Sequence, residues 1–228
     1  MPRSERGYRR IGILAAGLVL WSASTCTAAE KAVQTPAPKI DAPSSAAQET
    51  AVFAGGCFWG VEAVFSHVRG VQRVVSGYAG PSSRRVDYES VSNDDTGFAE
   101  AVRVTYDPRL VSYGTLMRVF FSVIADPTTL NYQGPDHGTQ YRSALFPLNP
   151  AQDKAARAYL AQLAKSGLWT RPVVTRVEAF SGFQEAEPYH QDFLRRNPRH
   201  PYIVAWDAPK LAAFKAGHSS LWQASPAP

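Results

Sequence analysis

Ala51-Val52-Phe53-Ala54-Gly55-Gly56-Cys57-Phe58-Trp59-Gly60 is the stretch that decides the fold. Ala51 to Ala54 form a short apolar run that suits a buried strand, and the Gly55-Gly56 pair lets the backbone turn sharply after it. Beyond the turn, Val61, Val64, Phe65 and Val68 recur at i, i+3, i+4 and i+7, one apolar face of a helix. Cys57 therefore falls at the helix start. Unpaired backbone N–H groups and the positive end of the helix dipole stabilise a thiolate there, so the position predicts a cysteine pKa below the usual value of about 8.5. Phe58 and Trp59 can wall a small apolar pocket beside it. A free cysteine is more often a small packing hydrophobe, but the glycines and the helix start favour a reactive one.

From residue 51 onward, strand-like and helix-like segments alternate. Val71 to Ala79 reads as a strand, and Phe98 to Tyr106 as another in which Glu100, Val102, Val104 and Tyr106 share one face. That puts a carboxyl on an apolar face, where desolvation would keep it protonated near neutral pH and able to donate a proton. The alternative is a strand starting one or two residues later, with Glu100 in solvent. Ser112 can cap a helix carrying Leu116, Val119, Phe120 and Val123, and Asn149 another with Pro150 at its first position and Gln152 three residues after the cap. The polar, turn-rich segment 126–143 between them is long for an irregular connection, which favours a functional role. Val173 to Phe180 reads as a further strand and Ala186 to Arg196 as a late helix. The interleaving predicts a single α/β (α+β) domain with helices packed on a mixed β-sheet.

The chain of 228 residues is long enough for one sizeable core. Arg3, Arg6, Arg9 and Arg10, the apolar stretch Ile11 to Trp21 and the small residues Ser22 to Ala29 read as a signal peptide over residues 1–29, too short in its apolar part to span a bilayer. The expected destination is outside the cytoplasm, in a bacterium the periplasm. A lipidated Cys26 is a weaker alternative, since Ala23-Ser24-Thr25 fits that pattern poorly. Loss of residues 1–29 removes four arginines and one glutamate, so the formal charge of +5 becomes +2. No basic stripe remains, which argues against nucleic-acid binding. Residues 30–50, rich in Ala, Pro, Ser and Thr, read as a flexible tether, residues 51–210 as the catalytic domain and residues 211–228 as a C-terminal tail. No metal-ligand spacing or dinucleotide fingerprint is present.

Four segments together resemble the ordered motifs of the A-type peptide methionine sulfoxide reductases: Gly55-Gly56-Cys57-Phe58-Trp59-Gly60, Gly77-Tyr78-Ala79-Gly80, Thr96-Gly97-Phe98-Ala99-Glu100-Ala101-Val102 and Asp136-His137-Gly138-Thr139-Gln140-Tyr141-Arg142-Ser143. The likeness spans roughly residues 51–205. It implies a two-layer α/β fold with a ferredoxin-like core and reduction of the S epimer of methionine sulfoxide, free or in proteins, without metal or organic cofactor. Carried onto this chain, it makes Cys57 the nucleophile and Glu100 the proton donor. Tyr88 and Tyr141 would hydrogen-bond to the departing oxygen, Phe58 and Trp59 would hold the substrate methyl group, and Asp136 would line the pocket. Read alone, the two tyrosines are packing residues, Asp136 is a turn residue, and His190 is a packing or surface histidine rather than a base.

Pro81, Asp94 and Phe98 depart from the usual motif residues, Pro81 and Asp94 standing where glycine is frequent and Phe98 where histidine is. Residues 197–228 hold no cysteine, which resembles the single-cysteine type. The resemblance then implies an external reductant, a thioredoxin-like protein or a small thiol. Arg195, Arg196 and Arg199 read as a solvated helix end, and a monomer is the simplest assembly. The rival readings are another thiol enzyme, such as a peroxidase or acyl transferase, and a binding module without catalysis.

Overall fold

The computed structural model describes residue 1 and residues 32–81, 84–93 and 96–228. The signal-peptide reading, Cys26 and Asp94 lie outside them. Strand β1 (Glu49–Gly55) leads into helix α1 (Phe58–Ser66), β2 (Val71–Ala79), the short α2 (Tyr88–Ser92), β3 (Ala99–Tyr106) and α3 (Tyr113–Val119). The small β4 (Tyr132–Gln133) and β5 (Asp136–His137) pair as a hairpin, followed by β6 (Ser143–Phe146), α4 (Pro150–Ala164), β7 (Arg176–Val177), β8 (Phe183–Glu185), α5 (Phe193–Arg196) and α6 (Ala208–Gly217).

The main sheet has the order β7-β6-β1-β3-β2-β8. Its four inner strands, β6-β1-β3-β2, pair antiparallel, with α1 joining β1 to β2 and α3 following β3, so the core is a ferredoxin-like βαββαβ unit. Strand β7 pairs in parallel with β6, which makes the sheet mixed. Alternation along the strands sorts side chains onto two faces. Ala51, Phe53, Val102, Val104 and Tyr106 meet Val61, Val64, Phe65, Leu116 and Phe120 in the main core, while Val52, Ala54, Ala99, Ala101, Ala144 and Phe146 form a thinner layer behind. Phe53 is fully buried and stacks on Phe65, Tyr113 and Phe120 at ring separations of 5.0, 5.8 and 5.5 Å. Burying such a ring stabilises the fold by about 2–3 kcal/mol.

Several local readings hold and several do not. Ser112 caps α3 by accepting from Thr115 N, and Asn149 caps α4 by accepting from Gln152 N, with Pro150 at the start. Of the strand read over Val173 to Phe180, only Arg176–Val177 pairs, because the N–H groups of Val174 and Thr175 are taken by the carbonyl of Pro127. The helix read over Ala186 to Arg196 shrinks to α5: Pro188 removes a donor, Asp192 is left-handed at φ 53°, and Gln191 bridges to Ser76 on β2 instead.

Residues 32–48 are not a free tether in the structure. Thr35 is buried, its hydroxyl 2.7 Å from Ser122 Oγ; Arg118 Nε donates to its carbonyl at 3.0 Å and Tyr159 OH to that of Pro36 at 2.8 Å. The prolines keep the segment extended, and side chains of α3 and α4 satisfy its carbonyls. Residues 211–228 are likewise more than a tail. Phe214 of α6 is buried in the main core, and beyond it Ala227 N bonds Ser66 O and Pro228 O accepts from Val74 N.

Candidate active site

The approach of β1 to α1 sets the position of Cys57. Gly56 sits at φ +84°, and a Cβ there would lie 2.6 Å from Cβ of Gln133. Glycine thus serves both the turn and the close passage of the β4–β5 hairpin. Cys57 is the residue that caps α1, with φ −53° and ψ 123°. Its side chain accepts no capping hydrogen bond, and the N–H of Phe58 donates instead to a carboxyl.

That carboxyl belongs to Glu100. Strand β3 begins at Ala99, so Glu100 lies within it, on the helix-facing side and 2% exposed. Its Oε2 accepts from Phe58 N at 3.0 Å. Burial outweighs this bond, and with Asp136 and Asp207 adding repulsion the pKa is raised to about 8. Glu100 is mostly a neutral acid at neutral pH.

The thiol departs from the expectation drawn from its helix position. Its pKa is raised well above the ordinary value, first by desolvation, then by Glu100 and Asp207, with Asp136 adding less; the Trp59 amide opposes these without reversing them. One helix start cannot hold a thiolate against burial and three carboxyl groups. The dominant form at neutral pH is a thiol beside a carboxylic acid.

Tyr88 and Tyr141 reach this centre from different elements. Tyr88 opens α2, where its N–H donates to Glu187 Oε1 at 2.9 Å, and Tyr141 ends a single 3₁₀ turn, Thr139–Tyr141. Both phenols are held protonated by burial and then by the charge of Glu100, and Cys57 acts on each. Asp136, on β5, accepts from the hydroxyl of Tyr202. Phe58 is buried against His190, ring centroids 5.0 Å apart, and Trp59 stacks on Phe193 at 3.7 Å and 7°. Electrostatic interactions link Cys57, Glu100, Tyr88, Tyr141 and Asp136, and Phe58 and Trp59 follow Cys57 at the start of α1.

Arg142 ties two of their carriers together. Its guanidinium meets Glu178 through Nε at 2.9 Å and a second nitrogen at 3.0 Å, and donates to the carbonyls of Thr139, Gly97 and Phe98. Tyr141 and the entry to β3 are braced on one side chain.

Three residues were not assigned to the site from the sequence. His190 is buried between Phe58, Trp59 and Tyr88; its Nδ1 accepts from Trp59 Nε1 at 3.1 Å, and burial lowers its pKa, so it packs as a neutral ring. Tyr202 and Asp207 come from the helical stretch before α6, where Ile203–Asp207 forms a π turn. At 3.6 residues per turn, positions five apart diverge by about 140°; a wider π turn brings them back toward one side. Both act on Cys57. Pro209 beyond the turn reads as a breaker in the sequence, which conceals this helix. The cavity of about 290 Å³ bounded by Phe121, Asp126 and Trp169 does not include Cys57 and has no cysteine in its wall.

The family model described as Peptide methionine sulfoxide reductase matches residues 49–221. The chain belongs to that family. It is 50% identical over 187 residues to a peptide methionine sulfoxide reductase MsrA 2 of Mesorhizobium japonicum, covering 82% of this chain and 96% of the relative. It is 51% identical over 170 residues to an MsrA of Deinococcus radiodurans, covering 75% and 82%. Among solved structures it resembles reduced Mxr1 of Saccharomyces cerevisiae, with TM-score 0.62, 34% identity and coverage of 74% and 96%. Methionine sulfoxide reductase A of Corynebacterium diphtheriae gives TM-score 0.59 at 30% identity, covering 75% and 89%. As a peptide methionine sulfoxide reductase, the chain is an oxidoreductase.

Proposed function

We propose that this reductase converts methionine-S-sulfoxide, free or within oxidised proteins, to methionine, with Cys57 as nucleophile. The observation that carries the reading is the pairing of a lone thiol with a buried, protonated Glu100 across the first turn of α1. Sulfoxide oxygen leaves poorly until it is protonated, so a thiol that attacks sulfur needs a neutral acid within reach.

The Cys57 sulfur attacks the sulfoxide sulfur and gives up its proton to the site. Glu100 passes its proton to the oxygen, while the hydroxyls of Tyr88 and Tyr141 hydrogen-bond to it without adding charge. Phe58 and Trp59 hold the methyl group, and Asp136, fixed by Tyr202, lines the pocket. The substrate S–O bond and the S–S bond made in the attack then break as an S–O bond forms at Cys57. Methionine sulfur is reduced by two electrons, Cys57 is oxidised by two to a sulfenic acid, and the thiol proton restores Glu100.

The sequence holds no cysteine after Cys57, so regeneration falls to an external thiol. The first thiol displaces hydroxide as water and forms a mixed disulfide; a second releases Cys57. The signal-like residues 1–29 favour a reductant outside the cytoplasm, either a thioredoxin-like protein or a small thiol, acting on a monomeric enzyme.

The test is a single turnover without reductant, followed by mass spectrometry, with S- and R-methionine sulfoxide given separately to wild type and Cys57→Ser. About one methionine per enzyme from the S epimer alone, one oxygen on Cys57 and no product from the variant are expected. No methionine from either epimer would overturn the reading.

A further inference from the structure

Glu62 is a buried carboxyl to which the reaction above gives no task. It lies on α1 three residues after Trp59 and is 5% exposed. Its Oε2 accepts the backbone N–H of Asp192 at 3.0 Å, and the Phe193 amide also favours its charged form. Asp192 is left-handed, a conformation that a non-glycine residue holds only when its surroundings favour it. The next residue, Phe193, lies flat on the Trp59 indole, 3.7 Å away. The same segment supplies His190, which accepts the indole N–H.

We propose that Glu62 is a positioning residue of the substrate pocket: by holding the turn at Asp192 it keeps Phe193 against Trp59 and so fixes the indole that receives the methyl group. This rests on the reading of Trp59 as a pocket wall given above. An α1 side chain thereby sets the geometry of the pocket through the backbone of another segment.

Burial, then the charge of Asp192, raises the Glu62 pKa to about 7, against the pull of the Asp192 amide, the Ser76 hydroxyl on β2 and the Phe193 amide. The titratable groups around it are Asp192 just before α5, Arg195 within it, Arg73 from β2, Glu185 from β8 and His67 just after its own helix, with Pro228 beside them. The carboxylate accepts the amides more strongly than the neutral acid does. The hold on Phe193 therefore weakens as pH falls through about 7.

Steady-state kcat and KM for methionine-S-sulfoxide, measured from pH 6 to 8.5, test this in wild type, Glu62→Gln, Phe193→Leu, their double variant and Trp59→Leu. Wild-type KM is expected to rise below pH 7. Glu62→Gln should raise KM at pH 8 about three- to tenfold with kcat nearly unchanged, and should flatten that pH dependence. The double variant should be no worse than Phe193→Leu, since both act through one contact. An unchanged KM in Glu62→Gln, or additive effects in the double variant, would overturn the proposal. Should Glu62→Gln fail to fold, an unchanged KM in Phe193→Leu does the same. An unchanged KM in Trp59→Leu would instead sink the pocket reading itself.

Discussion

The carboxyl of Glu100 and the backbone N–H of Phe58 meet at 3.0 Å, across the gap between β3 and the first residue of α1. The neighbouring amide, that of Trp59, favours the charged form of Cys57. A single helix start thus serves both the acid and the thiol, and its two donors are divided between them. Burial raises both pKa values, the neighbouring carboxyls add to it, and one amide apiece does not offset it, so both groups stay protonated at neutral pH.

Glu100→Gln keeps an acceptor for the Phe58 amide but cannot deliver a proton. We expect kcat/KM to fall by about 10²- to 10⁴-fold. In wild type the protonated acid is the active form, so kcat should decline as pH rises through about 8. Stability carries the same sign. The folded state binds a proton at Glu100 that the unfolded chain releases near pH 4.5, so wild-type stability falls between about pH 4.5 and 8. The Tm advantage of Glu100→Gln over wild type should therefore grow from pH 5 to pH 8 in paired thermal melts. An advantage that stays flat with pH would contradict the buried neutral acid.

Arg142→Lys keeps the charge and loses the fork. Lysine cannot span Glu178 and the carbonyls of Thr139, Gly97 and Phe98 together, so acceptors on the Tyr141 turn and at the entry to β3 lose their donor. The cost should be on the order of 2–3 kcal/mol, read from the urea midpoint, because Glu178 is partly exposed and recovers some hydration. Since Tyr141 and Glu100 are both carried on the braced segments, kcat should fall more than the substrate affinity does.

How much of this was legible in the sequence follows the range of the forces involved. The turn at Gly55-Gly56, the caps Ser112 and Asn149 and the placing of Glu100 on an apolar face are local patterns, and the chain states them within a few residues. Tyr202 and Asp207 were missed because a π turn, not a regular helix, aims them at Cys57. The raised pKa of Cys57 was misread because its helix position is visible in sequence, while the carboxyls that surround it come from β3, β5 and the stretch before α6. The tether reading of residues 30–50 departs from the structure at 32–48 for the same reason: the partners that order them lie on α3 and α4.

Asp41 tests that docking directly. Its carboxylate accepts from Gly114 N at 2.7 Å and from Ser112 Oγ at 2.5 Å, so it adds a second cap to the start of α3 from outside the helix. Asp41→Ala should lower stability by about 1–2 kcal/mol and Tm by roughly 3–6 °C. Activity toward sulfoxide should be unchanged, since Asp41 lies in the 32–48 segment at the start of α3 and not at the thiol. An unaltered Tm would mean that the segment is not held there in solution.

Gly60→Ala sets two effects against each other. Alanine in a helix interior is favoured over glycine by about 1 kcal/mol. A Cβ at position 60, however, would lie 2.3 Å from Oδ1 of Asp207 and 2.8 Å from its Cγ. Asp207 is 1% exposed and sits on a stretch packed against α1, so it has little room to retreat. Overpacking of this kind costs about 1–3 kcal/mol, and the clash should win. We expect a net loss of stability together with a change in the pH at which Cys57 reacts, because displacing Asp207 moves one of the charges that raise the thiol pKa. Iodoacetamide alkylation rates across pH 7–10 would read that change, and the sign should be a lower apparent pKa. A more stable Gly60→Ala with an unchanged alkylation profile would show that the two segments are less tightly apposed than the geometry requires.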